Sequence, residues 1–130
     1  MAIAADSVAA GLPAWRVRRV TEHIEHNLDK PLPLTELAAV VHMSRFHFAR
    51  LFRCSTGDPP RRFVMRQRIA RACEFLARSE LTIAEISRRV GFRTPSHFTT
   101  MFHRVSGVTP GGYRIEHARA PRPHDDGGAQ

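Results

Sequence analysis

Residues 43–63 read MSRFHFARLFRCSTGDPPRRF, and residues 93–113 read RTPSHFTTMFHRVSGVTPGGY. Set fifty positions apart, His47-Phe48, Phe52, Gly57, Pro60 and Phe63 recur as His97-Phe98, Phe102, Gly107, Pro110 and Tyr113. Upstream the match continues at an offset of forty-nine, where Glu36-Leu37 answers to Glu85-Ile86 and Val41 to Val90. One unit therefore occurs twice: helix, tight turn, helix, glycine, proline, aromatic. Two copies are too few to build a solenoid, which buries its core by stacking several repeats. A duplicated recognition module fits better.

Within each copy the second helix has two faces. Phe48, Leu51, Phe52 and Ser55 form an i, i+3, i+4, i+7 stripe expected to face the core, as do Phe98, Met101, Phe102 and Val105. The opposite side carries Phe46, Ala49, Arg50 and Arg53 in the first copy and Ser96, Thr99, Thr100 and His103 in the second. Those outward sets are basic or hydrogen-bonding, with small residues that permit close approach. An α-helix fits the major groove of a DNA duplex and can offer such side chains to base edges. The short helix before each would cross the phosphate backbone, its first amides free to meet a phosphate. A plain helical bundle with polar outer faces competes with this reading. The repeated turn and glycine, together with the charge, favour DNA.

Charge supplies independent support. Twenty Lys and Arg against twelve Asp and Glu give a net charge of +8, which points to a polyanionic partner. Lys30 is the only lysine. Arginine presents a planar fork suited to phosphates and guanine edges, although GC-rich codon usage accounts for much of the bias.

The rest of the chain fits an all-α fold of seven helices in two helix-turn-helix lobes joined by a long linker helix. The boundaries expected are a disordered tail over 1–13, a first lobe over 14–62, a linker helix over 63–78, a second lobe over 79–116 and a second tail over 117–130. The first helix runs from about Trp15 to Asn27, and the Pro31 and Pro33 region breaks it. A second helix covers about Leu34 to Val41. Ser44 is positioned to cap the third, which ends near Gly57. Asp58-Pro59-Pro60 opens the long helix to about Arg78, with Ile69, Ala72, Cys73 and Leu76 on one stripe. Thr82 and Glu85 have capping-box spacing before the fifth helix, and Thr94 caps the sixth. Thr109-Pro110 begins a short last helix through Tyr113.

No apolar run approaches the ~20 residues of a membrane helix, and Met1 to Pro13 makes a poor signal peptide. The chain reads as cytoplasmic, with Cys54 and Cys73 expected as buried, reduced thiols. A role for them in redox or alkyl-acceptor chemistry is the distant enzymatic alternative. His23 and His26 could share a metal, but exposed histidines without an acidic neighbour in sequence are the simpler reading. No phosphate loop, nucleophile elbow or cofactor motif is present, so neither a cofactor nor a metal is expected.

From Trp15 to Arg114 the sequence resembles the DNA-binding domain of the AraC/XylS family of bacterial transcription regulators. In the first half the resemblance is carried by Pro31-Leu32, Leu37-Ala38, Met43-Ser44, Phe48-Ala49-Arg50-Leu51-Phe52, Thr56-Gly57, Pro60, Phe63, Arg68 and Ala72. It continues through Thr82-Ile83, Glu85-Ile86, Val90-Gly91-Phe92, Ser96-His97-Phe98, Phe102, Gly107-Val108-Thr109-Pro110 and Tyr113-Arg114. The resemblance implies two recognition helices, about 44–55 and 94–106, set in successive major-groove segments roughly 34 Å apart on one face of the duplex. It implies that Phe46, Ala49, Arg50, Ser96, His97, Thr99 and Thr100 face bases or flanking phosphates. Arg45, Arg53 and Arg93 join them as backbone contacts on charge grounds.

Several positions depart from the family pattern. His42 stands where glycine is common in the turn, Pro33 where a Ser or Thr cap is usual, and Thr100 where many members carry a basic residue. Gly111-Gly112 should soften the last helix. The short flanks imply a stand-alone member without a small-molecule effector domain. Such a member would be controlled by its abundance and bind promoter DNA as a monomer, with RNA polymerase as the other expected partner. A sensor on a separate protein remains open, as does a low-specificity, nucleoid-type mode of DNA binding.

Overall fold

The computed structural model describes residues 11–118, and these form seven α-helices with no strand among them. They are α1 (Ala14–His26), α2 (Leu34–Val40), α3 (Arg45–Thr56), α4 (Pro60–Arg78), α5 (Ile83–Arg89), α6 (Pro95–Ser106) and α7 (Pro110–Ala118). The chain divides into two compact units, with the boundary between Gln67 and Arg68 inside α4.

In the first unit Val20 and Ile24 of α1 are fully buried with Leu37, Val41, Phe48 and Phe52. Val64, one turn into α4, closes the same cluster. Phe52 packs tilted on Phe48 (centroids 5.3 Å apart) and edge-on against Phe63 (5.2 Å), the arrangements that ring quadrupoles favour. The second unit repeats this with Ile69, Ala72, Leu76, Ile86, Val90, Phe98 and Phe102. There Phe102 packs on Phe98 (5.7 Å) and edge-on against Tyr113 (5.7 Å). The recurring Pro and aromatic residues thus supply the start of the helix that closes each unit and the ring that seals its core.

Helix starts follow local chemistry. Ser44 Oγ accepts the His47 N–H (3.3 Å), and Thr94 Oγ1 accepts the His97 N–H (3.1 Å). Thr82 and Glu85 make the full capping box, with the Glu85 N–H on Thr82 Oγ1 (3.0 Å) and the Thr82 N–H on Glu85 Oε1 (2.8 Å). These bonds, the backbone one first, hold the Glu85 carboxyl below the usual glutamate range. Pro33 leaves α2 without a side-chain cap. Gly57 and Gly107 end α3 and α6 in the left-handed region, at φ 86° and 87°.

Several expectations need correction. Cys54 is exposed and Cys73 only half-buried, so neither is a fully buried thiol. Ser55 and Val105 are exposed as well, because the core stripe ends one turn before each helix does. Ser55 instead accepts the Leu12 N–H at 2.6 Å, and Leu12 itself is buried, which packs residues 11–13 onto the first unit. The last helix passes Tyr113 and reaches Ala118 despite Gly111-Gly112. Tyr113 anchors it: its ring seals the core on one side and stacks on His117 (3.7 Å) on the other. His23 does have an acidic partner, Glu36 of α2, at 2.7 Å. The tails expected over residues 1–10 and 119–130 lie outside the described residues.

Candidate nucleic-acid interface

Each unit carries a helix-turn-helix whose turn is built by backbone hydrogen bonds. In the first, Val41 caps α2, His42 takes the left-handed conformation at φ 59°, and Met43 follows. The Met43 N–H returns to the Ala38 carbonyl (3.0 Å) and the His42 N–H to the Ala39 carbonyl (3.0 Å). This is a Schellman closure, the 6→1 and 5→2 pair that satisfies the last carbonyls of a helix. The second unit repeats it with Gly91 at φ 91°, Phe92 N–H on Ser87 carbonyl (2.9 Å) and Gly91 N–H on Arg88 carbonyl (3.1 Å). Ser87, fully buried, donates its hydroxyl to the Thr94 carbonyl (3.3 Å), joining α5 to the cap of α6. Met43 and Phe92 supply the apolar contact such a closure favours; Phe92 is buried with its edge toward Phe98 (5.4 Å).

The turn fixes how α3 and α6 leave the core. In α3, burial of Phe48, Leu51 and Phe52 leaves Phe46, Ala49, Arg50 and Arg53 together on the opposite side at i, i+3, i+4, i+7. Arg50 and Arg53 are exposed and Ala49 is half-buried. Phe46 is 73% exposed, a large apolar ring with the Arg45 guanidinium 4.9 Å from its centroid. In α6 the equivalent surface is Ser96, Thr99, Thr100 and His103, with Ser96, Thr100 and His103 exposed and Thr99 half-buried. His97 lies off that stripe: its ring packs edge-on against Phe92 at 5.3 Å. Arg93 is exposed in the turn just before Thr94. All ten sequence-selected residues therefore fall on α3, on α6 or in the turn leading to α6. Eight are exposed, and only Ala49 and Thr99 are partly covered.

Two arginines behind the turns were not singled out for this surface by sequence. Arg16 of α1 reaches Met43 Sδ with Nη1 (3.9 Å), and Arg68 of α4 donates Nη1–H to the Gly91 carbonyl (2.8 Å). Burial pushes the Arg68 guanidinium below its ordinary value. The signal that pairs them is a third stretch of the repeat, offset by fifty-two: Arg16-Val17, Arg19-Val20, Glu22 and Ile24 answer to Arg68-Ile69, Arg71-Ala72, Glu74 and Leu76.

Two helix-turn-helix units with exposed, capped second helices define the chain as a DNA-binding domain. A family model described as a helix-turn-helix domain matches residues 37–116. The chain belongs to the AraC/XylS family of transcription regulators. Among curated proteins it is 36% identical over 104 residues to the transcriptional activator NphR of a Rhodococcus species, covering 80% of this chain and 30% of that one. It is 38% identical over 92 residues to the uncharacterized HTH-type transcriptional regulator YfiF of Bacillus subtilis, covering 71% and 29%. It thus spans about 30% of the length of these two relatives. Among solved structures it resembles the DNA-binding domain of AdpA, a global transcriptional factor in complex with a target DNA, at 32% identity and TM-score 0.77. That match covers 82% of this chain and 97% of the AdpA domain. An AraC-type regulator from Chromobacterium violaceum gives 25% identity and TM-score 0.76, covering 82% and 95%. Among the described residues no helix is long and apolar enough to cross a membrane.

Proposed function

We propose that the chain reads an asymmetric promoter site as a monomer, placing α3 and α6 in successive major-groove segments, and that it activates transcription through contact with RNA polymerase. The observation that carries this reading is the pair of exposed helix faces, one opposite the buried Phe48, Leu51 and Phe52 and the other opposite the buried Phe98 and Phe102, each entered through the same Schellman turn. On α3, Arg50 is the candidate for bidentate readout of guanine, with Phe46 and Ala49 offering apolar contact to thymine methyls. Arg45, Arg53 and Arg93 supply phosphate contacts that fix register. On α6, Ser96, Thr99 and Thr100 read bases with short hydroxyl side chains, and His97 contacts the backbone. Because the two units are different surfaces in one chain, the site they read has no dyad. Activation is supported by the likeness to NphR, named as a transcriptional activator.

Selection of binding sites from random duplexes tests the whole reading. A long bipartite motif is expected; a pool that shows no enrichment would leave only low-specificity binding, which the charge of +8 permits. Arg50→Ala is expected to relax preference in one half-site and cost about 1–3 kcal/mol on the selected duplex. Equal loss on every sequence would reassign Arg50 to a phosphate.

A further inference from the structure

Arg16 and Arg68 occupy matching places in the two units, fifty-two positions apart in the chain (68 − 16), one turn before matching core residues Val20 and Ala72. Each extends toward the turn of its helix-turn-helix, and Arg16 has its Nε buried without a hydrogen-bond partner among the described residues. Their terminal nitrogens meet different fates. Arg68 Nη1 finds a backbone carbonyl, a full acceptor, at 2.8 Å. Arg16 Nη1 finds only a thioether, at 3.9 Å, and its guanidinium lies 5.1 Å from the centroid of the Trp15 ring. Thioether sulfur is a weak acceptor, and a ring face attracts the cation without satisfying its N–H groups.

A guanidinium held by packing but short of acceptors is organised for an anion. Met43, where Arg16 ends, immediately precedes Ser44, the N-cap of α3, so the cation stands at the end of the helix proposed to enter the groove. We propose that Arg16 is a phosphate-binding residue of the first unit, taking a backbone phosphate of duplex DNA beside the N-terminus of α3, while its counterpart Arg68 is a brace of the second turn. The proposal rests on the DNA-binding reading above and extends it to a helix outside the helix-turn-helix. It explains why one arginine of the pair has a carbonyl and the other has none: the missing acceptor of Arg16 is supplied by the ligand.

The test compares Arg16→Met, Arg16→Lys and Arg68→Met by salt-titrated fluorescence anisotropy, on a selected duplex and on a scrambled duplex of equal length, with thermal melts of each protein. Methionine keeps the packing stem and deletes the charge. Arg16→Met is expected to weaken both duplexes by the same factor, on the order of tenfold, and to flatten the dependence of log K on log salt by about 0.9. Its melting temperature is expected not to fall, since a buried unpartnered donor is removed. Arg16→Lys should retain the wild-type salt slope, because the point charge survives. Arg68→Met should melt lower and keep the slope. An unchanged slope for Arg16→Met, a lowered melting temperature that accounts for its loss of binding, or a loss confined to the selected duplex would each overturn the assignment. Wild-type protein that binds both duplexes equally would defeat sequence-specific recognition while the slope still decides Arg16; wild-type protein that binds neither would defeat both.

Discussion

Replacing His42 by glycine should make the first unit more stable. His42 and Gly91 occupy the same position in two copies of one turn, each donating its N–H to the carbonyl three residues back. Both are left-handed, at φ 59° and 91°. The left-handed region costs a residue with a Cβ roughly 1–2 kcal/mol, toward the lower end for histidine. Against that, glycine adds unfolded-state entropy worth roughly 0.4–1 kcal/mol. The His42 side chain is exposed and makes no hydrogen bond or ring contact among the described residues, so its removal forfeits little. The difference, about 1 kcal/mol less roughly 0.4–1, leaves His42→Gly stabilising by up to about 0.6 kcal/mol, or up to about 5 °C in a domain of this size. Gly91→Ala should shift the second unit the opposite way by a comparable amount. Circular dichroism melts and urea titrations of both variants measure the pair. Two shifts of the same sign, or a destabilised His42→Gly, would refute the account of the turn as a strained glycine position.

The caps and the thiols give four further outcomes. Thr82→Ala removes the hydroxyl half of the α5 capping box and should cost about 1 kcal/mol in urea titration. The folded state holds Glu85 below its ordinary pKa, so the stability it contributes is present above the unfolded value and is lost as pH falls through the folded one. An acid titration should show the gap between Thr82→Ala and wild type narrowing without closing, because the Thr82 hydroxyl still accepts the Glu85 N–H after the carboxyl is protonated. With a thiol reagent Cys54 should react rapidly and Cys73 slowly, because Cys54 is exposed, while burial, only partly offset by the Tyr113 hydrogen bond, pushes the Cys73 thiol up. Cys73 and Tyr113 are both raised, so what they add to stability is complete below their ordinary values and disappears as pH climbs through the folded ones. A melt series run into the alkaline range should show it.

Most of the fold was legible because it is written in local chemistry. Ser44, Thr82 and Thr94 announce helix starts through one hydroxyl each, and Gly57 and Gly107 announce helix ends through the sign of φ. Both core stripes followed from spacing, except in their last turn, where Ser55 and Val105 extend past the elements they would pack on. Cys54 was misjudged because cysteine is a commonly buried type, although it sits four residues after Arg50, toward the outward side. The His23–Glu36 contact crosses from α1 to α2, beyond any rule of i, i+4 spacing. The α1 copy within α4 escaped notice because its offset is fifty-two rather than forty-nine or fifty. The segment from Ile24 to Glu36 is three residues longer than that from Leu76 to Glu85, so the register slips.

That third stretch of repeat changes how the two units compare. Each begins with a support helix bearing the arginine, continues through the helix-turn-helix and is closed by the helix that Pro60 or Pro110 starts. Their chemistry has diverged unevenly. The first unit displays Arg45, Arg50 and Arg53 along α3, with Arg16 behind its turn still short of acceptors. The second has settled its arginine on the Gly91 carbonyl and shows short neutral side chains at Ser96, Thr99 and Thr100. Phosphate attraction scales with the cations brought to the backbone, so the first unit should dominate affinity and its loss in salt. Hydroxyl side chains approach bases closely but form single, less directional bonds than a guanidinium fork, so the second unit should contribute discrimination with little affinity of its own. On the proposed reading the first unit therefore both anchors and reads, through Arg50, while the second tunes the preference with the short hydroxyl side chains of Ser96, Thr99 and Thr100.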